Sequence, residues 1–202
     1  MGNRLLVVCT PDVYADRRSV EGVGDAFDAV GNVGNRLQQV DEASGVVAEG
    51  IAGGDIHALA LADQMLQAAR SGKQNIVEGY TDASTSYEVA LKLYNIARGS
   101  LKELLEDCRD YLRTRGLAEW AIGSEQNRAM RNIGKEHDDS SFYVALAESR
   151  SDEVVANMLI VLLCQEDILL TSFIEAEGKR FLQDGGFREK LTRIRLEERA
   201  KM

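Results

Sequence analysis

The feature that most constrains this chain is an unbroken helical periodicity between residues 85 and 115. Tyr87, Leu91, Tyr94, Ala97, Leu101, Leu105, Cys108 and Leu112 recur at intervals of three and four, which places them on one face of an α-helix. Thr85 and Glu88 have capping-box spacing, in which hydroxyl and carboxylate satisfy the free amides of a helix start. Gly116 offers a left-handed stop. At 1.5 Å per residue this helix is about 45 Å long. Only a bundle or a coiled coil buries an apolar face of that length.

Composition agrees. One proline in 202 residues, with a second half rich in Leu, Ala, Glu, Arg and Gln, favours helices over sandwiches, barrels and disulfide-stapled scaffolds. Cys9, Cys108 and Cys164 are an odd number with no close pair, the usage of a reducing compartment. The longest apolar run, Met158 to Cys164, ends in Gln165-Glu166-Asp167 and is too short to span a bilayer. Leu5–Cys9 is too short for a signal-peptide core. The expectation is a cytoplasmic protein without a membrane partner.

Residues 1–54 hold 9 of the 18 glycines. Leu5-Leu6-Val7-Val8-Cys9 reads as an extended arm, and Phe27 to Ile51 as a weak helix interrupted by glycine, near 24–52. A second helix is expected over 56–78, with Leu59, Ala62, Leu66, Ala69 and Ile76 on one stripe and Gly79 closing it. The long helix at 85–115 follows. A short helix over 117–134 and a polar loop at Lys135–Ser141 come next. Ser149 or Ser151 caps a helix over 151–183 whose apolar stripe is wide enough to face more than one neighbour, and Gly185-Gly186 ends it. The last helix has Phe187, Leu191 and Ile194 inside and its cations outside.

Signatures of catalysis fail on inspection. Gly22-Val23-Gly24 lacks the third glycine and the adjoining strand of a dinucleotide-binding turn. Ser71-Gly72-Lys73-Gln74 lacks the upstream glycine and the hydroxyl of a phosphate-binding loop. The two histidines, His57 and His137, fit neither a zinc ligand set nor the Glu-x-x-His pairs of di-iron bundles. The chain is therefore expected to be no enzyme, with no cofactor and no metal.

Two basic clusters stand out against a formal net charge of −9. Arg70, Lys73 and Gln74 lie within about two helical turns of one another, beside the small residues Ala68, Ala69, Ser71 and Gly72, which admit a close neighbouring helix. The two cations suit a phosphate or a partner carboxylate, or simply solvation and pairing with Glu78 or Asp82. The last helix carries Arg188, Lys190, Arg193, Arg195, Arg199 and Lys201, diluted by Glu189, Glu197 and Glu198. It suits either a phosphate backbone or docking of its apolar stripe on the bundle or a second subunit.

Asp63-Gln64-Met65 with Gln67 through Gly79 resembles the signature of the four-helix-bundle family of the 23S ribosomal RNA intervening-sequence protein. Ile96-Ala97-Arg98-Gly99-Ser100-Leu101-Lys102-Glu103-Leu104 resembles that family's second motif. Phe181 through Leu191 is similar to its four-helix-bundle suffix branch. The resemblance runs from about Asp63 to Lys201. It implies an up-down bundle, and similarity to accessory variability proteins of diversity-generating retroelements implies a homopentamer that binds nucleic acid and a reverse transcriptase through basic surfaces. This chain departs from them in being acidic and in its Gly-rich start.

The fold expected is all-α: an up-down antiparallel four-helix bundle over 55–183, with a short extra helix. An atypical Gly-rich segment occupies 1–54 and a basic amphipathic helix 184–202. The function expected is a non-enzymatic, oligomeric binding or scaffold protein, accessory to a nucleic-acid-associated complex. Its partners would be further copies of itself, up to a pentamer, RNA or DNA, and a nucleic-acid-processing protein. Arg70, Lys73, Gln74 and Arg98 are the first contact candidates, and Arg188, Lys190, Arg193 and Arg195 the second. The alternative is a purely structural self-associating protein.

Overall fold

The computed structural model describes Ser44 and residues 56–83, 85–137 and 140–201. The side chains of residues 56–59, Ser140, Asp184, Phe187, Arg188 and Lys190 lie outside that description. The described residues form an all-helical protein without strands. Its elements are α1 (Ile56–Asp82), α2 (Tyr87–Thr114), α3 (Glu125–Glu136), α4 (Ser140–Glu148), α5 (Asp152–Asp184) and α6 (Phe187–Ala200). The extended arm and the helix expected over 24–52 lie outside the described residues, apart from Ser44, which is helical and buried.

Three long helices set the architecture. The turn at 83–86 folds α2 back on α1, so Gln64 meets Asp107, Ser71 meets Ser100 and Gly79 meets Tyr94. Helix α5 is antiparallel to α2 in turn, with Tyr87 beside Phe181, Tyr94 beside Phe173 and Arg98 beside Asp167. The small residues on α1 do what their size allows. A Cβ on Gly79 would stand 2.6 Å from the Tyr94 ring, and one on Gly72 2.8 Å from Leu101. Gly79 therefore does not close the helix, as its sequence context suggested. It is a contact surface inside α1, which runs on to Asp82.

The core stripe of α2 is buried from Ala90 to Leu112. Helix α5 is buried on every face over its first half, from Val155 to Glu166, which is why its apolar stripe is so wide. It is the one helix among the described residues long and apolar enough to cross a bilayer, and 72% of its most apolar window is buried inside the protein. Packing accounts for that apolarity.

Several boundaries differ from expectation. Ser86, not Thr85, is the N-cap of α2, its Oγ accepting from the Val89 amide at 3.4 Å. At the other end Gly116, at φ 67°, completes a Schellman motif in which the Leu117 and Gly116 amides donate to the carbonyls of Leu112 and Arg113. Residues 117–124 are not helical, and α5 takes two of their backbone groups. Asn157 Nδ2 donates to the Ala118 carbonyl at 3.0 Å and its Oδ1 accepts from the Trp120 amide at 2.7 Å. The short helix begins only after Ser124, which accepts from the Asn127 amide.

Much of the polar loop expected at 135–141 is also helical. Helix α3 extends to Glu136, and α4 starts at Ser140, its Tyr143 hydroxyl donating to the His137 carbonyl at 2.9 Å. Helix α3 packs against α5, where Gln165 Nε2 donates to the Arg131 carbonyl at 3.2 Å. Gly185, at φ 72°, stops α5. The amide of Gly186 then donates to the Glu189 carboxylate and starts α6. Helix α6 packs extensively against no other described helix.

Candidate functional site

The residues singled out in the sequence fall on three separate surfaces. Arg70 and Gln74 are exposed on α1, on the side turned away from α2, and Lys73 is half-buried beside them. Gln74 Nε2 donates to Glu78 Oε1 at 2.8 Å, one turn along the same helix. Glu78, one of the acids expected to pair with Arg70 or Lys73, thus accepts from the Gln74 amide.

Arg98 does not join this group. It faces α5, where its Nε donates to Asp167 Oδ1 at 2.6 Å and a second guanidinium nitrogen lies 3.5 Å from Oδ2. Lys102 Nζ adds a third positive contact at 3.8 Å. Asp167 is only 13% exposed, so this is a charge-assisted clamp between two long helices. Its guanidinium is committed to the protein's own carboxylate.

The third surface is α6. Every side chain described from Thr192 to Lys201 is exposed, including Arg193 and Arg195. The side chains of Arg188 and Lys190 lie outside the described residues. Ile194, expected inside, is 53% exposed and Leu196 60%. Leu191 is half-buried, so the apolar residues of α6 turn outward from Ile194 onward. An open concavity of about 450 Å³ runs along this helix, lined by Glu189, Thr192, Arg193, Leu196 and Glu197. Residues from one face of one helix cannot enclose a small molecule the way a ligand pocket does.

A further surface escaped the sequence reading. Val89, Leu93, Ile96, Ser100, Glu103 and Asp107 recur at spacings of four and three, forming a second stripe on α2 beside the buried one. The hydrogen bonds of Ser100 to Ser71 and of Asp107 to Gln64, at 2.9 and 3.2 Å, place it along the outer seam between α1 and α2. Val89 and Ile96 are 44% and 45% exposed. The signal was present in the heptad spacing, but the stronger core stripe overlaps it in sequence.

The seam ends in a negative field. Burial, and then Asp110, Glu103 and Glu106, raise the Asp107 pKa above the ordinary carboxylate value. Its Oδ2 is buried without a hydrogen-bond partner. Elsewhere, burial followed by the Glu177 carboxylate pushes the Tyr94 hydroxyl far above its usual range. Burial does the same to the Cys108 thiol, so neither is a ready proton donor or nucleophile at neutral pH.

Among the described residues no group of three or more His, Cys, Asp and Glu side chains is placed to hold a metal ion. His137 stacks on Phe142 at 4.0 Å between ring centres. No protein-family model, curated protein or solved structure matches this chain.

Proposed function

We propose that this protein is a non-enzymatic helical scaffold that self-associates and serves as an accessory to a nucleic-acid-associated complex in the cytoplasm. The observation that carries the reading is α6: a cationic amphipathic helix, exposed on all described faces from Thr192 to Lys201. A 14-residue helix is marginal in water by itself, and one displaying Ile194 and Leu196 calls for a partner surface. The finer fold we propose is an up-down four-helix bundle. It sets the periodic segment 24–52 beside α1, α2 and α5, and the buried, helical Ser44 falls within that segment.

The nucleic-acid part of the reading rests on the resemblance of residues 63–201 to the ribosomal intervening-sequence family. Arg70, Lys73 and Gln74 remain its first contact candidates, with Arg188, Lys190, Arg193 and Arg195 second. Arg98 drops to the end of the order because its charge is already met by Asp167. A second reading, self-association with no nucleic-acid role, is favoured by the −9 net charge and by the separation of the cations onto different surfaces.

Anisotropy of labelled structured RNA and duplex DNA, from 50 to 300 mM salt, separates the two. Binding that weakens steeply with salt and is reduced by Arg70→Ala with Lys73→Ala supports the first reading. Absence of binding at the lowest salt, with light scattering still showing a multiple of 22.2 kDa, selects the second.

A further inference from the structure

We infer that α6 of one molecule docks along the outer α1–α2 seam of a second copy, its apolar residues on Val89 and Ile96 and its arginines toward Glu103. The inference rests on the self-association proposed above and names the surfaces that make it.

Val89, Ile96 and Glu103 on the seam and Ile194, Arg195 and Arg199 on α6 are exposed on one chain, and the two surfaces match in order. Read from its N-terminal end, the seam is first apolar, at Val89, Leu93 and Ile96, and then acidic, at Glu103 and Asp107. Helix α6 is first apolar, at positions 187, 191 and 194 with the same four-three spacing, and then basic at Arg195 and Arg199. Two helices laid side by side in one direction set apolar on apolar and cation on anion. The lengths agree: the 14 residues of α6 and the stretch from Val89 to Glu103 each extend about 21 Å.

Charge decides the occupant. Pairing of α6 with another α6 would bring Arg188, Lys190 and Arg195 together along both flanks of the apolar stripe, a repulsive arrangement. On the seam the nearby cations of α2 are turned away, since Arg98 and Lys102 both face Asp167 on α5. Lys92, exposed three residues after Val89 and four before Ile96, flanks the apolar part of the seam. At the acidic end Glu103 is exposed, in the same carboxylate cluster as Glu106, Asp107 and Asp110. The arginines of a second copy meet that field. Because donor and acceptor surfaces differ, the contact is head-to-tail and yields either a reciprocal pair or a larger ring.

Light scattering on the full chain across concentration tests this, with circular dichroism confirming that each surface variant folds. Arg195→Glu with Arg199→Glu, and separately Glu103→Arg, should each weaken association at least about tenfold. Combining the reversals in one chain should restore it. Glu125→Arg, on the exposed start of α3, should change nothing. Association unchanged by both reversals would overturn the α6 seam while leaving self-association standing. A 22.2 kDa monomer at every concentration would overturn both. If the α6 reversal abolishes binding to a labelled RNA duplex or to phosphatidylserine vesicles but leaves the oligomer intact, α6 serves that ligand and the inference fails.

Discussion

Helices α5 and α6 are separated by two glycines and are both helical, yet they occupy opposite environments. The first half of α5 is buried on every face, while α6 is exposed on every described face from Thr192 onward. Helicity is a local property, set by spacing, caps and the absence of proline. Burial is a property of what else is nearby. Polar side chains within α5 show the same thing: the buried Asn157 holds the 118–120 backbone, and the half-buried Asp167 holds Arg98. On α6 the pairs given for described residues stay local, as in the Lys201–Glu198 pair at 2.8 Å.

The sharpest way to break this comparison is to truncate apolar residues in both helices. Leu163→Ala should cost about 2–5 kcal/mol of stability in denaturant melts, since the side chain is 1% exposed and the site cannot fully collapse. Ile194→Ala and Leu196→Ala should each cost no more than about 0.5 kcal/mol at dilute concentrations where copies do not meet. A loss of 2 kcal/mol or more at either would mean that α6 is held by its own bundle.

Glycines give the next contrast, with opposite signs. Gly79→Ala should destabilise by about 1–3 kcal/mol, because the new methyl meets the Tyr94 ring, itself fixed by Phe173 at 4.9 Å. Gly99→Ala, where nothing lies within 4 Å, should stabilise by up to about 1 kcal/mol through helix propensity. Thermal melts read both, and equal shifts would contradict the close α1–α2 approach.

Loss of the α2–α5 clamp should have an intermediate effect. Asp167→Ala leaves Arg98 without its carboxylate and should cost about 1–3 kcal/mol. The same truncation at Asp110, which pairs with Arg113 at the surface, should cost under about 1 kcal/mol. Equal losses would place the clamp in bulk-like solvent.

The smallest effect belongs to the seam. The Asp107 pKa is raised in the fold, so the folded state holds that proton more tightly than the unfolded chain. The resulting stabilisation is present below the unfolded value of about 4 and is lost as pH rises through the folded pKa. Asp107→Asn should therefore be slightly more stable than the parent at pH 7, by less than about 2 °C. The gap should close in melts below pH 4.

Much of the fold was legible in the sequence. The spacing of Tyr94, Ala97, Leu101, Leu105, Cys108 and Leu112 predicted the buried face of α2, and Gly116 and Gly185 marked the two stops where the structure has them. Ala68, Ala69 and Gly72 announced a close helix contact. The boundaries that moved did so through partners distant in sequence. Residues 117–124 were expected to be helical, but Asn157 captures the Ala118 carbonyl and the Trp120 amide. Gly79 looks like a helix end until Tyr94 is placed against it.

The candidate site was less legible for the same reason. Arg70, Lys73 and Gln74 are neighbours in sequence and stay neighbours on α1. Arg98 has the composition of a ligand contact, and only the docking of α5 assigns it to Asp167. The second stripe on α2 could be counted from its residues, yet its exposure depended on α1 and α5 covering the other faces. The sequence by itself determined which segments are helical, since caps, glycines and apolar periods act within a few residues. The tertiary structure decided which charges are satisfied and which apolar residues still face outward, because both depend on side chains brought together from far along the chain.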